Sequence, residues 1–142
     1  MTTPNRILVT TENLERLSHL VEKLGNGRYA DQVAQLEVEL ARAEVVPSSE
    51  LPPDVVTMNS RVLFEVEGTG ERRIVTLSWP NEANLDPSRV SVLAPVGIAL
   101  LGLRPGDVFE YAVPGDHRRR LKVLQVIYQP ESESRPTPPQ AA

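Results

Sequence analysis

The chain has no cysteine, which excludes disulfides and thiolate metal sites and fits a reducing, cytoplasmic setting. Aromatic residues make up 4% of it, too few for a platform on which bases or sugars could stack. An excess of positive charge is also missing: the formal net charge is -4 over 142 residues. A free nucleic-acid binder needs a basic footprint to neutralise phosphates, so the balance points to a protein partner, with at most indirect contact to nucleic acid. The first apolar run, Ile7 to Val9, is too short for a signal peptide or a membrane span, and no membrane role is expected. Neither G-x-x-x-x-G-K-[ST] nor G-x-G-x-x-G occurs, so no nucleotide cofactor and no small-molecule substrate are expected. His19 and His117 fall in different elements and lack ligand spacing, so no metal site is expected.

What remains is 40% hydrophobic and 24% charged, the composition of a globular chain. Its pattern changes period part-way. Residues 1–47 read as two helices. Thr10 or Thr11 can cap the first, with Glu12 and Glu15 near its positive end. Leu14, Leu17, Val21 and Leu24 follow at 3-4-3 spacing, as do Val33, Leu36, Leu40 and Ala43 in the second. Glycines 25 and 27 should end the first helix through a left-handed cap, Asp31 should cap the second, and Pro47 should stop it. Neither helix is stable alone in water, so the stripes should close on each other as a projecting antiparallel hairpin ~20 Å long. The alternative is a pair of helices lying as a cap on the following domain. A strand at 6–10 could add an edge.

A proline-rich linker at 48–53 precedes the change to period two. Residues 54–129 read as strands at 62–66, 72–79, around Val90 and Val92, 108–113 and 121–128. Residues 67–70 and 114–116 are turns. Pro95 at a first helical position and Gly102 just past an end bracket one short buried helix. His117, Arg118, Arg119 and Arg120 form the one basic cluster, read as a solvated strand end. Residues 130–142, with four prolines, read as a disordered tail. The fold class expected is α+β: a short helical hairpin, then an antiparallel sheet wrapped on one helix.

The stretch VSVLAPVGIALLGLRPGDVFEYAVPG at 90–115 resembles the C-terminal domain of the Gre transcript-cleavage factors, and VTLSWPNEA at 75–83 resembles that family's preceding strand and loop. The resemblance is closer to the regulators of nucleoside diphosphate kinase, the Rnk family, through DVVTMNSRV at 54–62, APVG at 94–97 and YQPE at 128–131. It spans residues 6–131 and implies an FKBP-like β-domain, a cytoplasmic bacterial transcription regulator and RNA polymerase as partner. The residues it would set at the rim of the polymerase secondary channel are Leu93, Ala94, Pro95, Val96 and Gly97. Ala94 departs from the serine of the cleavage factors.

Cleavage factors deliver paired carboxylates to the polymerase metal. Here the expected hairpin is far shorter than the Gre coiled coil. Its tip, with Asn26, Arg28, Tyr29 and Asp31, carries one acid beside a cation that would oppose metal binding. The resulting expectation is a non-enzymatic factor that occupies the channel entrance and competes with Gre factors. An adaptor for a different protein and, more remotely, a prolyl isomerase are the alternatives. The second needs an aromatic-lined pocket that Phe64, Trp79, Phe109, Tyr111 and Tyr128 do not obviously supply.

Overall fold

The computed structural model describes residues 7–113 and 117–133. It is an α+β fold with two N-terminal helices and a sheet domain. Strand β1 (Leu8–Thr10) leads directly into helix α1 (Thr11–Leu24). Thr10 is the cap, its Oγ1 accepting the backbone N–H of Asn13 at 3.1 Å. Helix α2 (Ala30–Ala41) returns antiparallel and strand β2 (Glu44–Val46) closes the unit.

Three expectations fail here for local reasons. Gly25 ends α1 in right-handed geometry (φ -66°), because consecutive turns, Gly27 N–H to Leu24 O and Ala30 N–H to Gly27 O, reverse the chain instead. Asp31 does not cap α2. Tyr29 holds the cap position without a side-chain bond, and Asp31 sits in the first turn, where its charge suits the helix dipole. Nor does α2 run to Pro47. Its last turn tightens (Ala43 N–H to Leu40 O), and the Glu44 N–H is taken by Ile7 O at 2.8 Å. The β-branched pair Val45 and Val46 then lies parallel to β1, Val9 opposite Val45. The strand expected near 6–10 thus belongs to a two-stranded sheet of its own rather than to the edge of the main one.

The stretch read as a proline-rich linker, 48–53, has local order. Ser48–Glu50 make one 3-10 turn and Leu51 is fully buried. The main sheet follows, built from β3 (Arg61–Val66), β4 (Arg72–Ser78), β5 (Arg89–Ser91), β6 (Val108–Val113) and β7 (His117–Tyr128) in the order β5-β4-β3-β7-β6. Strict alternation buries Val62, Phe64 and Val66 of β3, and Val75 and Leu77 of β4, on one face. The sheet is mixed rather than wholly antiparallel. The ten-residue passage from Trp79 to Ser88 turns the chain twice before β5, which therefore runs parallel to β4. β7 begins four residues earlier than expected, so the basic cluster lies inside a strand paired with β6. The turn expected at 114–116 lies outside the described residues.

Helix α3 (Pro95–Leu100), with Pro95 at its first position, touches β5 and β4 at one side of the sheet and β6 at the other. Gly102, at φ +81°, takes the left-handed step that ends it, and a side chain there would strike Ile7. The tail starts in order: Pro130–Glu133 form a single turn, α4, while 134–142 lie outside the described residues.

The helices do not project. Leu17, Val33 and Leu36 join one continuous core with Phe64, Leu77, Leu93, Leu100 and Leu121. The apolar faces of the two helices therefore close on each other and on α3 and the sheet. The Arg16 guanidinium stacks 4.1 Å from the ring centre of buried Trp79, fixing α1 to the end of β4.

Candidate functional site

Residues 93–97 divide by role once their surroundings are known. Leu93 is buried in the core. Its N–H donates to Ser91 Oγ at 3.0 Å, and the Ala94 N–H donates to Ser91 O at 3.0 Å, folding the chain into a tight turn before α3. Ala94 is the cap residue of α3 and has no hydroxyl to offer the helix, so no side-chain cap bond forms. Gly97 is buried and pressed onto the same turn: a Cβ there would sit 2.0 Å from Ser91 O. Leu93 and Gly97 therefore build the turn. Pro95 is exposed, with Ala94 and Val96 partly so, and these three form the surface it offers.

The hairpin tip is organised differently. Asn26 and Arg28 are exposed. Arg28 folds onto Tyr29, 4.9 Å from the ring centre, with its Nη2 donating to the phenol oxygen at 2.9 Å. Tyr29 packs against the core, and Asp31 turns toward the β-domain.

A groove of ≈ 200 Å³ joins the two halves. One wall is α2, through Asp31, Gln32 and Gln35. The other is α3, through Pro95 and Ile98. Phe109 and Tyr111 make the floor, and the Glu110–Arg118 ion pair (3.2 Å) closes one end. The fold thus brings Pro95 and Asp31 to one groove and leaves Asn26 and Arg28 away from it. Burial pushes the Tyr111 hydroxyl above its ordinary value of 10.0, against the pull of Arg119 and Arg73.

The basic run does not form a free cationic strip. Arg118 pairs with Glu110 and Arg120 with Glu67, each at 3.2 Å, across neighbouring strands. Arg119 alternates to the other face, opposite Tyr111. His19 is exposed on α1, as its place on the helix suggests.

Other participants escaped sequence reasoning. Gln32 and Gln35 carry no signal beyond helical polarity. Arg16 and Trp79 meet across 63 positions. The DVVTMNSRV and YQPE stretches were visible as motifs, but not that they meet. Thr57 and Ser60 hold a turn, with Asn59 at φ 70° between them, and the Asn59 N–H donates to Leu77 O at 2.6 Å. The side chain of Gln129 reaches back to this segment, donating to Pro52 O and Val55 O.

Comparison with known proteins matches two family descriptions to successive parts of the chain. The family described as "Transcription elongation factor, GreA/GreB, C-term" matches residues 51–128, and the family described as "Rnk N-terminus" matches residues 5–46. The regulator of nucleoside diphosphate kinase of Escherichia coli (strain K12) is 41% identical over 126 residues, covering 89% of this chain and 92% of that protein. Transcription elongation factor GreA of Beijerinckia indica subsp. indica is 32% identical over 108 residues, covering 76% of this chain and 66% of that protein. A solved structure described as a prokaryotic transcription elongation factor GreA/GreB from Nitrosomonas europaea superposes with a TM-score of 0.68. It shares 42% identity and covers 88% of this chain and 100% of that one.

Proposed function

The chain belongs to the GreA/GreB family of transcription elongation factors, in the branch with an Rnk N-terminus, and from that premise we propose that it docks on RNA polymerase at the entrance of the secondary channel without catalysing transcript cleavage. The observation that carries the reading is the turn of exposed Pro95 and half-buried Ala94 and Val96, held from beneath by Leu93 and Gly97. Rigid, shallow apolar turns on a stiff scaffold are good docking elements, since little ordering entropy opposes binding. In this reading the sheet wrapped on α3 is the FKBP-like module by which the family grips its enzyme.

Two features argue against cleavage. α1 has 14 residues, about 21 Å at 1.5 Å each, and it lies along the domain instead of reaching away from it. The tip region offers one carboxylate, Asp31, which faces the groove with Pro95. Activating water at a second metal needs paired acids delivered at a distance. The factor would therefore occupy the entrance and exclude longer relatives, acting in the cytoplasm. The name of its Escherichia coli relative speaks of regulating a kinase; in this account such an effect runs through transcription and not through catalysis by the chain.

The test is competition on purified core polymerase between this chain and a labelled Gre factor. Displacement that saturates, with loss of Gre-stimulated cleavage, is expected. Simultaneous binding of both proteins without interference would overturn the proposal.

A further inference from the structure

Glu131 takes no part in the surface described above, yet it joins three distant segments. It is carried by α4. Thr57 Oγ1, at the turn before β3, donates to its Oε1 at 2.7 Å. Asn13 Nδ2, in the first turn of α1, donates to its Oε2 at 3.4 Å. These partners lie 74 and 118 positions away in the sequence. Each is itself held. Thr57 is tied to Ser60 through its backbone N–H (2.8 Å) and by a 3.0 Å contact between the hydroxyls. The Asn13 backbone is tied to Thr10. Two residues before Glu131, buried Gln129 donates to Pro52 O and Val55 O at 2.8 and 2.9 Å, so the turn cannot pivot on its strand.

We propose that residues 129–133 are a strap that fastens the helical hairpin to the β-domain and so builds the groove between α2 and α3. The consequence for docking rests on the polymerase reading given above; the strap itself does not. The groove has one wall from the hairpin and one from the domain. It exists as a binding surface only while the two are held in register. A carboxylate bonded to both sides reinforces the register that the shared core of Leu17, Val33 and Leu36 begins to set, and charge-assisted bonds of this kind are stronger than neutral ones. Loss of Glu131 leaves Thr57, only 1% exposed, and Asn13 short of one partner each, which favours local opening of α1 over loss of the whole fold.

The fold contains its own reporter. Trp79, the chain's one tryptophan, is 6% exposed and lies under Arg16, three residues after Asn13 on α1. In the full-length chain, Glu131→Ala should speed amide hydrogen exchange in the first two turns of α1 at least tenfold and raise acrylamide quenching of Trp79. Exchange in β3 and β7 should not change. Thr57→Val should do the same, and the double variant should add little to either. Thr57→Val alone is also the variant to use should Glu131→Ala fail to fold. Unchanged α1 exchange and Trp79 quenching would overturn the strap. Measured on core polymerase, the opened variants should bind at least threefold more weakly than the native chain. Opened helices with native binding would overturn the composite groove. Absence of binding by the native chain would overturn the polymerase reading, with the exchange and quenching results still deciding the strap.

Discussion

Replacing Gly97 by alanine separates what residues 93–97 do for the fold from what they do at a surface. Alanine is the better helix former by about 1 kcal/mol, so propensity alone predicts a more stable protein. The structure predicts the opposite. A Cβ on Gly97 would lie 2.0 Å from Ser91 O, 2.8 Å from its carbonyl carbon and 3.0 Å from Val92 Cα, all backbone atoms. Relief needs a shift of roughly 1 Å or more to restore ordinary contact distances. That shift loosens two bonds anchored there, Ala94 N–H to Ser91 O and Val92 N–H to Ser78 O. Overpacking costs about 1–3 kcal/mol and one weakened hydrogen bond about 1 kcal/mol. Less the propensity gain, the net loss is about 1–3 kcal/mol. For a chain of this size that lowers Tm by about 2–12 °C. Thermal and urea unfolding would measure it, with the urea slope unchanged. A Tm equal to or above the native value would refute the close approach of α3 to the turn, and with it the division of 93–97 into supports and surface.

Other substitutions test different parts of the structure. Gly68→Ala, at φ +93° with open space around it, should cost only about 1 kcal/mol of backbone strain by urea titration. Leu17→Ala should cost about 2–5 kcal/mol while keeping a single unfolding transition, because α1 shares its core with the sheet; two separate transitions would show the hairpin to be an independent unit. Burial raises the pKa of Glu39 above its ordinary 4.5, more than Arg42 lowers it. Such a group contributes its full stability below 4.5 and loses it as pH rises through the folded value. Glu39→Gln should therefore be more stable than the native chain at pH 7, with the advantage shrinking toward pH 4 in paired urea titrations. Pro95→Ser, at the exposed first position of α3, should change stability by no more than about 1 kcal/mol and weaken polymerase binding in a direct titration.

Local pattern carried most of the fold. Alternation located β3 and β4, 3-4-3 spacing located α1 and α2, and Pro95 with Gly102 bracketed α3. Those signals are properties of neighbouring residues, so a single sequence displays them. What it concealed was pairing at a distance. Nothing local says that Val9 meets Val45, or that β5 runs parallel to β4, because both depend on where a loop returns the chain. The seam spacing of the helices is the same whether they pair only with each other or also lie on a sheet. Their docked position emerged only when Leu17 and Leu36 were found in the common core. The tail looked disordered because its composition is proline-rich. Its first turn is ordered by Gln129 and Glu131, whose partners lie in other segments. The candidate site was legible as a motif at 94–97, but its division into buried supports and exposed surface, and its neighbour Asp31, needed the fold.

The proposed docking turn can be tested at one residue. A photo-crosslinking amino acid placed at position 96 of the full chain, beside controls at the exposed positions Val38 and Leu85, would be irradiated with core RNA polymerase. The account predicts a crosslink from position 96 to the rim of the secondary channel, suppressed by excess Gre factor, with the controls silent. Crosslinks from position 38 or 85 with none from 96 would contradict it.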